Sequence, residues 1–193
     1  MIADMREAPQ LHGAPAPGRL PEQAHVGAVH LEVGHLPRSV GYYQAVLGME
    51  LLDRAAGRAL LGVEPATPLV YLVEKNGVAA VPSGGGFGLH HFAMLLPDRV
   101  ALGRFAAHVL GVGLRPGMAD HAVSEALYLT DPDGLGIEVY ADRPRSLWTY
   151  RDDELVMTTE PLDISGLVEA GQGKDWDGAP TGTTMGHVHL HVG

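Results

Sequence analysis

The sequence predicts an α+β fold: two βαβββ units paired into one incomplete, barrel-like module, then a linker, then the opening strand of a second module. Three observations carry this. Alternating apolar and polar residues give way to helical spacing and back again, twice along the chain. LeuGly at 47–48 returns as LeuGly at 110–111, an offset of 63 residues. ValHisLeuGluValGly at 29–34 returns as ValHisLeuHisValGly at 188–193, an offset of 159. Repeats at a fixed offset set the architecture before any single element is placed.

Residues 1–24 read as a disordered arm, because AlaProAlaProGly at 14–18 can neither pack nor pair. Val29, Leu31 and Val33 alternate with His30 and Glu32, the pattern of a half-buried strand. Pro37 suits a first helical turn. Val40, Tyr43, Val46 and Leu47 then keep helical spacing as far as Gly48, where a helix end favours glycine. Met49–Asp53, Arg58–Val63 and Leu69–Glu74 read as strands, separated by AlaAlaGly and GluProAlaThrPro. This first unit spans 25–80. A Pro/Gly-rich bridge follows at Val81–Gly86.

The second unit, 86–141, repeats the order. Leu89–Leu96 is a strand, and Asp98 caps a helix with Leu102, Phe105 and Val109 on one face, ended by Gly111. Strands are expected near Gly113–Met118, Val123–Leu129 and Gly136–Tyr140, with AspProAspGly at 131–134 turning the chain between the last two. Together 25–141 make the first module. Residues 142–184 read as a linker with a short helix around Ile164–Ala170, and 185–193 as the first strand of a truncated second module.

Composition narrows the chemistry. The 193 residues include no Cys, which removes disulfides, thiolate metal sites and thiol catalysis. The net charge of −10 argues against nucleic acid as a partner. No run approaches the roughly 18 apolar residues of a membrane span. Met1–Leu20 carries Asp4 and Glu7 without a continuous apolar stretch, so it does not read as a signal peptide, and a cytoplasmic protein is expected. GlyGlyGly at 84–86 has no Lys-Ser/Thr after it and is no phosphate loop. There is no G-x-S-x-G. What stands out is 11 His in a chain with three Phe. Histidine is the commonest metal ligand.

HisLeuGluVal…ProArgSerValGlyTyrTyrGlnAlaValLeuGlyMet at 30–49 resembles the opening of a vicinal oxygen chelate module, of the glyoxalase, bleomycin-resistance and extradiol dioxygenase superfamily. AspHisAlaValSerGluAlaLeuTyrLeuThrAspProAspGlyLeuGlyIleGluValTyrAlaAspArgProArgSerLeuTrp at 120–148 is more specific and is similar to the tandem-module catechol 2,3-dioxygenase branch. The resemblance covers 25–193. It implies an enzyme that cleaves a small aromatic diol with O2, using Fe(II), with Mn(II) as the other metal it admits. Two further functions share the fold. One is a metal-free small-molecule binding or resistance module. The other is a glyoxalase-like metal-dependent isomerase or lyase, for which Glu74 is the only nearby carboxylate on the expected strand.

The resemblance implies three metal positions per module, and in the first they fall on Ala28, His91 and Glu138. Ala28 cannot bind a metal, which also suits the metal-free reading. The offset of 159 carries Ala28 to His187, making His187 the first ligand of the second module. Its partners are expected beyond Gly193, so the iron belongs to the mostly missing module. A site joining His187 to His91 and Glu138 is expected to need two chains. Without metal, Glu138 needs a buried partner, and His91 is the candidate. His90 is expected to point away from His91, and His30 and His189 to stand apart from a metal at His187. His191 reads as cavity-facing or as an exposed edge residue, His121 as a supporting or turn residue, and His12, His25, His35 and His108 as surface. An unpaired strand at 187–193 favours self-association into a homo-oligomer.

Overall fold

The computed structural model describes residues 24–193 apart from 66, 79 and 81–85. The expected arm as far as residue 23, the bridge at 81–85, and His12 lie outside the described residues. Two sheets carry the chain, with strand orders β1-β4-β3-β2 and β11-β5-β8-β7-β6.

The first sheet is β1 (Val29–Val33), β2 (Glu50–Ala55), β3 (Arg58–Glu64) and β4 (Thr67–Glu74). β1 lies parallel to β4. Parallel neighbours need a crossover, and α1 (Leu36–Ala45) begins it. His35 caps this helix, its Nδ1 accepting the Arg38 N–H at 3.1 Å. The strand alternates as its sequence predicts, with Val29, Leu31 and Val33 buried and His30 and Glu32 exposed.

The second sheet comprises β5 (Gly88–Leu95), β6 (Gly117–Asp120), β7 (Ser124–Thr130), β8 (Gly136–Asp142) and β11 (Thr184–His191), with α2 (Arg99–Gly111) crossing between β5 and β6. Asp98 caps α2 through the Ala101 N–H. β6 begins four residues later than the sequence suggests. The Gly113 and Leu114 amides still donate to Leu110 and Val109, so this stretch completes the helix end instead of starting a strand.

One face of this sheet packs on the helices. Phe92, Met94, Leu127, Ile137 and Val139 share a core with Leu102, Phe105 and Val109 of α2. The opposite, open face carries a separate small cluster of Ala93, Ala126 and Tyr140. The two units are tied at the 131–134 turn. Ser39 Oγ donates to Asp133, and Tyr43 Oη donates to Asp131, both from α1. Among the described residues no closed barrel forms.

Residues 142–184 hold a single 3-10 turn at Arg145–Leu147, a hairpin of β9 (Tyr150–Arg151) and β10 (Glu154–Leu155), and α3 (Ile164–Ala170). The helix stands where it was expected. The hairpin was not, because two-residue strands leave no periodic pattern.

The C-terminal strand corrects an expectation. β11 is not unpaired: it lies antiparallel along β5 and gives that sheet a fifth strand. Its alternation is broken twice. Between Met185–Met94 and His187–Ala93, β11 advances by two residues while β5 advances by one, so Gly186 is extra. Between His189–His91 and Leu190–Leu89 the extra residue is His90 of β5. A bulge of this kind re-aims the side chains beyond it.

Candidate metal centre

The two bulges build the site. Met185 is 3% exposed and belongs to the helix-side core. Simple alternation would therefore send His187 to the same side. The extra residue at Gly186 turns His187 instead onto the open face, beside Ala93. Only glycine fits there: a Cβ on Gly186 would lie 2.8 Å from two Tyr140 ring carbons. His91 reaches the same face from β5, and Glu138 from β8, where Ile137 and Val139 on either side go to the core.

The three side chains converge. His91 Nε2 lies 3.0 Å from Glu138 Oε2, His187 Nε2 lies 3.2 Å from the same oxygen, and the two imidazole nitrogens are 3.4 Å apart. Donors about 2.1 Å from one ion, at right angles around it, stand about 3 Å apart. The separations therefore fit a single cation capped on one side. Two imidazoles and one carboxylate on one face, with the remaining positions open, is the donor set of non-haem Fe(II) sites. His91 and Glu138 are buried and His187 is partly exposed, so the open side faces out along β11. Burial pushes the Glu138 carboxyl up, but hydrogen bonds from His187 and His91 outweigh it and hold the pKa at about 2. The carboxylate is ionised across the neutral range.

Two expectations change here. The site was assigned to a missing module, and a union of His187 with His91 and Glu138 was expected to need two chains. The structure instead brings all three together in one chain, two from the second βαβββ unit and one from β11. Strand patterns specify faces, not neighbours, so the β11–β5 pairing was not legible. His90 was expected to point away from His91. The bulge sets both on the open face, with ring centroids 5.4 Å apart.

A strip of imidazoles results. His189 sits 4.8 Å from the His91 ring and 5.1 Å from His90, while His191 stacks on His90 at 4.2 Å. Desolvation, then the charge of neighbouring imidazoles, lowers the pKa of both His90 and His189. His189 thus shares the face of His187, but the convergent donor atoms are those of His91, Glu138 and His187.

Next to Glu138 stands a pair that sequence reasoning missed in part. Tyr128 is directly opposite Glu138 in the β7–β8 ladder. His121 Nδ1 lies 2.7 Å from the Thr158 carbonyl, which only accepts, so Nδ1 carries the proton. His121 Nε2 is then an acceptor, and Tyr128 Oη donates to it at 2.8 Å. Burial, then the charge of Glu138, pushes the Tyr128 phenol up to about 12. The signal was available: the hairpin around AspProAspGly reflects residue 128 onto 138.

Two further histidines have local work. His35 caps α1, and His108 Nε2 is 3.0 Å from the Ala45 carbonyl, with its ring stacked on Trp176. Glu74 Oε1 accepts the Leu36 N–H at the start of α1 and takes no part in the cluster.

The pattern of the Glyoxalase/Bleomycin resistance protein/Dioxygenase superfamily matches residues 23–139. The chain belongs to that superfamily. Within it, the chain is 44% identical to a catechol-2,3-dioxygenase of Bacillus subtilis (strain 168) over 172 residues, covering 89% of this chain and 60% of the relative. It is 31% identical to a lactoylglutathione lyase of Arabidopsis thaliana, over 58% of this chain and 42% of that protein. The chain thus spans about three fifths or less of these relatives. A glyoxalase/dioxygenase structure from Nostoc punctiforme matches 69% of this chain and 99% of its own, with a TM-score of 0.52 at 19% identity, and shares the superfamily's fold. Among the described residues, no helix is long and apolar enough to cross a membrane.

Proposed function

We propose that this chain carries the metal centre of an extradiol dioxygenase, with His91, Glu138 and His187 as ligands of Fe(II) and a catechol-type diol and O2 as substrates. The single observation that carries the reading is the convergence of two imidazoles and one carboxylate at 3.0–3.4 Å on an open sheet face. The 44% identity to a catechol-2,3-dioxygenase supports the substrate class. Mn(II) accepts the same donors and is the alternative metal.

A metal held by His91, Glu138 and His187 would supply a Lewis-acidic template for the diol and a route for electrons between the diol and O2. Both oxygen atoms enter the product, the ring carbon–carbon bond beside the diol breaks, and no outside reductant is consumed. The chain's own residues have three tasks. Glu138 and the two histidines occupy one side only, leaving the other for substrate. Tyr128 and His121 offer a proton path. A diol that chelates must lose protons, and a proton delivered to Tyr128 Oη is matched by transfer of the phenol's own proton to His121 Nε2, which Thr158 holds in the accepting tautomer. Tyr140, 5.3 Å from the His187 ring, walls the opposite flank.

The test is an anaerobic Fe(II) titration, followed by catechol and O2. One equivalent of Fe(II) is expected, with affinity falling at least about 100-fold in His187→Ala, because loss of a direct ligand exceeds the 10–100-fold cost typical of losing a supporting partner. Binding that survives this substitution overturns the ligand assignment. Tight binding without ring cleavage leaves the metal site standing and removes the dioxygenase reading.

A further inference from the structure

The imidazoles beyond the metal centre form a cluster of their own, and the second bulge is its origin. Between the pairs His189–His91 and Leu190–Leu89, β5 contributes one extra residue, His90. That residue is turned onto the open face. His189 and His191, two apart on β11, share the same face by alternation. Gly88 stands opposite His191 and brings no side chain, which leaves the His90 ring room to stack on His191.

The ring centroids are 5.1 Å apart for His90 and His189, 5.2 Å for His189 and His191, and 4.2 Å for His90 and His191. An imidazole nitrogen binds Zn(II) at about 2.0–2.1 Å, so the ring centre stands about 3.2 Å from the ion, and two rings at a tetrahedral angle stand about 5 Å apart. Two of the three separations already match. The stacked pair has to open by about 1 Å to join them. His90 and His189 are exposed, and exposed side chains change rotamer within nanoseconds. These rings also have no other work. His35 accepts the Arg38 amide, His108 reaches the Ala45 carbonyl, and His121 lies between Thr158 and Tyr128. Among the described residues, no ring nitrogen of His90, His189 or His191 has a hydrogen-bond partner, and no carboxylate is paired with them.

We propose that His90, His189 and His191 bind a second divalent cation, Zn(II), Cu(II) or Ni(II), separate from the His91–Glu138–His187 centre. An all-imidazole set suits these ions, while Mn(II) and Fe(II) stand at the weak end of the affinity order for the same donors. Rings without an acceptor behind them are not held in one orientation, which costs about 10–100-fold in affinity. The second cation is therefore the weaker of the two. The inference does not rest on the dioxygenase reading, because it concerns other residues and other metals.

Zn(II) is the probe, added to the full chain. Equilibrium dialysis counts the ions, and imidazole ¹⁵N NMR signals show which rings hold them. Two equivalents are expected, the second about 10–100-fold weaker than the first, and the second moves the signals of His90, His189 and His191. His191→Ala is the deciding variant, because the His191 ring packs on His90 and His189 and not on the ligands of the first centre. It weakens the second equivalent at least about 10-fold and keeps the first. His90→Ala does the same and stands in if His191→Ala does not fold. His187→Ala keeps the second equivalent, so a failure of the first centre is read separately. Mn(II) is expected at the first centre alone. A single equivalent of Zn(II) in the unaltered chain overturns the proposal. So does a second equivalent undiminished in the folded variant, or one taken equally well by Mn(II). Loss of both equivalents in His187→Ala would make the strip part of the first centre and overturns the separate site.

Discussion

β1 and residues 188–192, which end β11 and run one residue past it, are nearly the same peptide, ValHisLeuGluVal against ValHisLeuHisVal, yet they live differently. In β1, Val29, Leu31 and Val33 are 9%, 8% and 1% exposed. Their counterparts Val188, Leu190 and Val192 are 38%, 53% and 79% exposed. The difference lies in the element that packs over each strand. β1 runs into α1, whose Leu36, Val40 and Tyr43 join its apolar residues in the core. Among the described residues, no helix of its own covers β11. The comparison separates two properties that a strand's sequence mixes. Alternation says which residues share a face, while burial is decided by the neighbouring element. The position just before the shared peptide differs too: Ala28 against His187. The cluster with His91 and Glu138 depends on that one change and on the bulge that aims it.

The largest difference between the strands should appear in stability. Leu31→Ala should cost about 2–4 kcal/mol, because it opens a cavity in a packed core. Leu190→Ala should cost under about 1 kcal/mol, since its side chain is half in water already. Urea denaturation of both variants makes the measurement. Equal losses would mean that the β11 face is covered in solution, most simply by another copy of the chain, and sedimentation would then show a dimer.

Much of this was readable in advance, and the reasons it stopped are physical. Val40, Tyr43 and Leu47 mark α1, Asp98 marks the start of α2, and AspProAspGly marks the β7–β8 turn, because each is a local signal. His91 and Glu138 were singled out by the resemblance to a vicinal oxygen chelate module, and His187 by the repeat offset of 159. Their meeting was not legible, since it depends on an antiparallel pairing between segments about ninety residues apart and on two bulges that reverse parity. His90 shows the cost of assuming strict alternation.

The next effect tests the first bulge. Gly186→Ala should push Tyr140 off the open face and cost about 1–3 kcal/mol, as overpacking usually does. Fe(II) affinity should fall with it, because His187 loses its aim. Tyr140→Ala in the same chain should recover most of the metal affinity, and a titration of single and double variants reads that coupling directly. No recovery would mean that the backbone at Gly186, not the clash with Tyr140, sets the site.

The far edge of the same sheet gives a smaller, pH-dependent contrast with β11. There β6 ends on Asp120, which Arg143 grips with two hydrogen bonds of 2.6 and 2.7 Å. Those bonds outweigh burial and hold the Asp120 pKa at about 2, below its ordinary value. A depressed carboxyl stabilises the fold above its unfolded pKa, and that contribution fades as pH falls toward the folded value. Asp120→Asn should therefore lose about 1–2 kcal/mol at pH 7, discounted for partial exposure, and almost nothing near pH 2. Thermal unfolding between pH 2 and 6 would show the two curves converging at the acid end.

The smallest expected effect is the most direct test of the comparison. Ala28→His restores on the β1 side the residue type that β11 carries at His187. It should add no second equivalent of Fe(II). β1 pairs with β4, where Val70 and Leu72 face Val29 and Leu31 and no histidine is present. The flanking carboxylate, Glu74, is already engaged with the Leu36 amide. A lone imidazole on such a strand has nothing with which to chelate. A second tight equivalent in this variant would mean that the two edges are more alike than their burial implies, and that His187 owes less to its neighbours than the geometry requires.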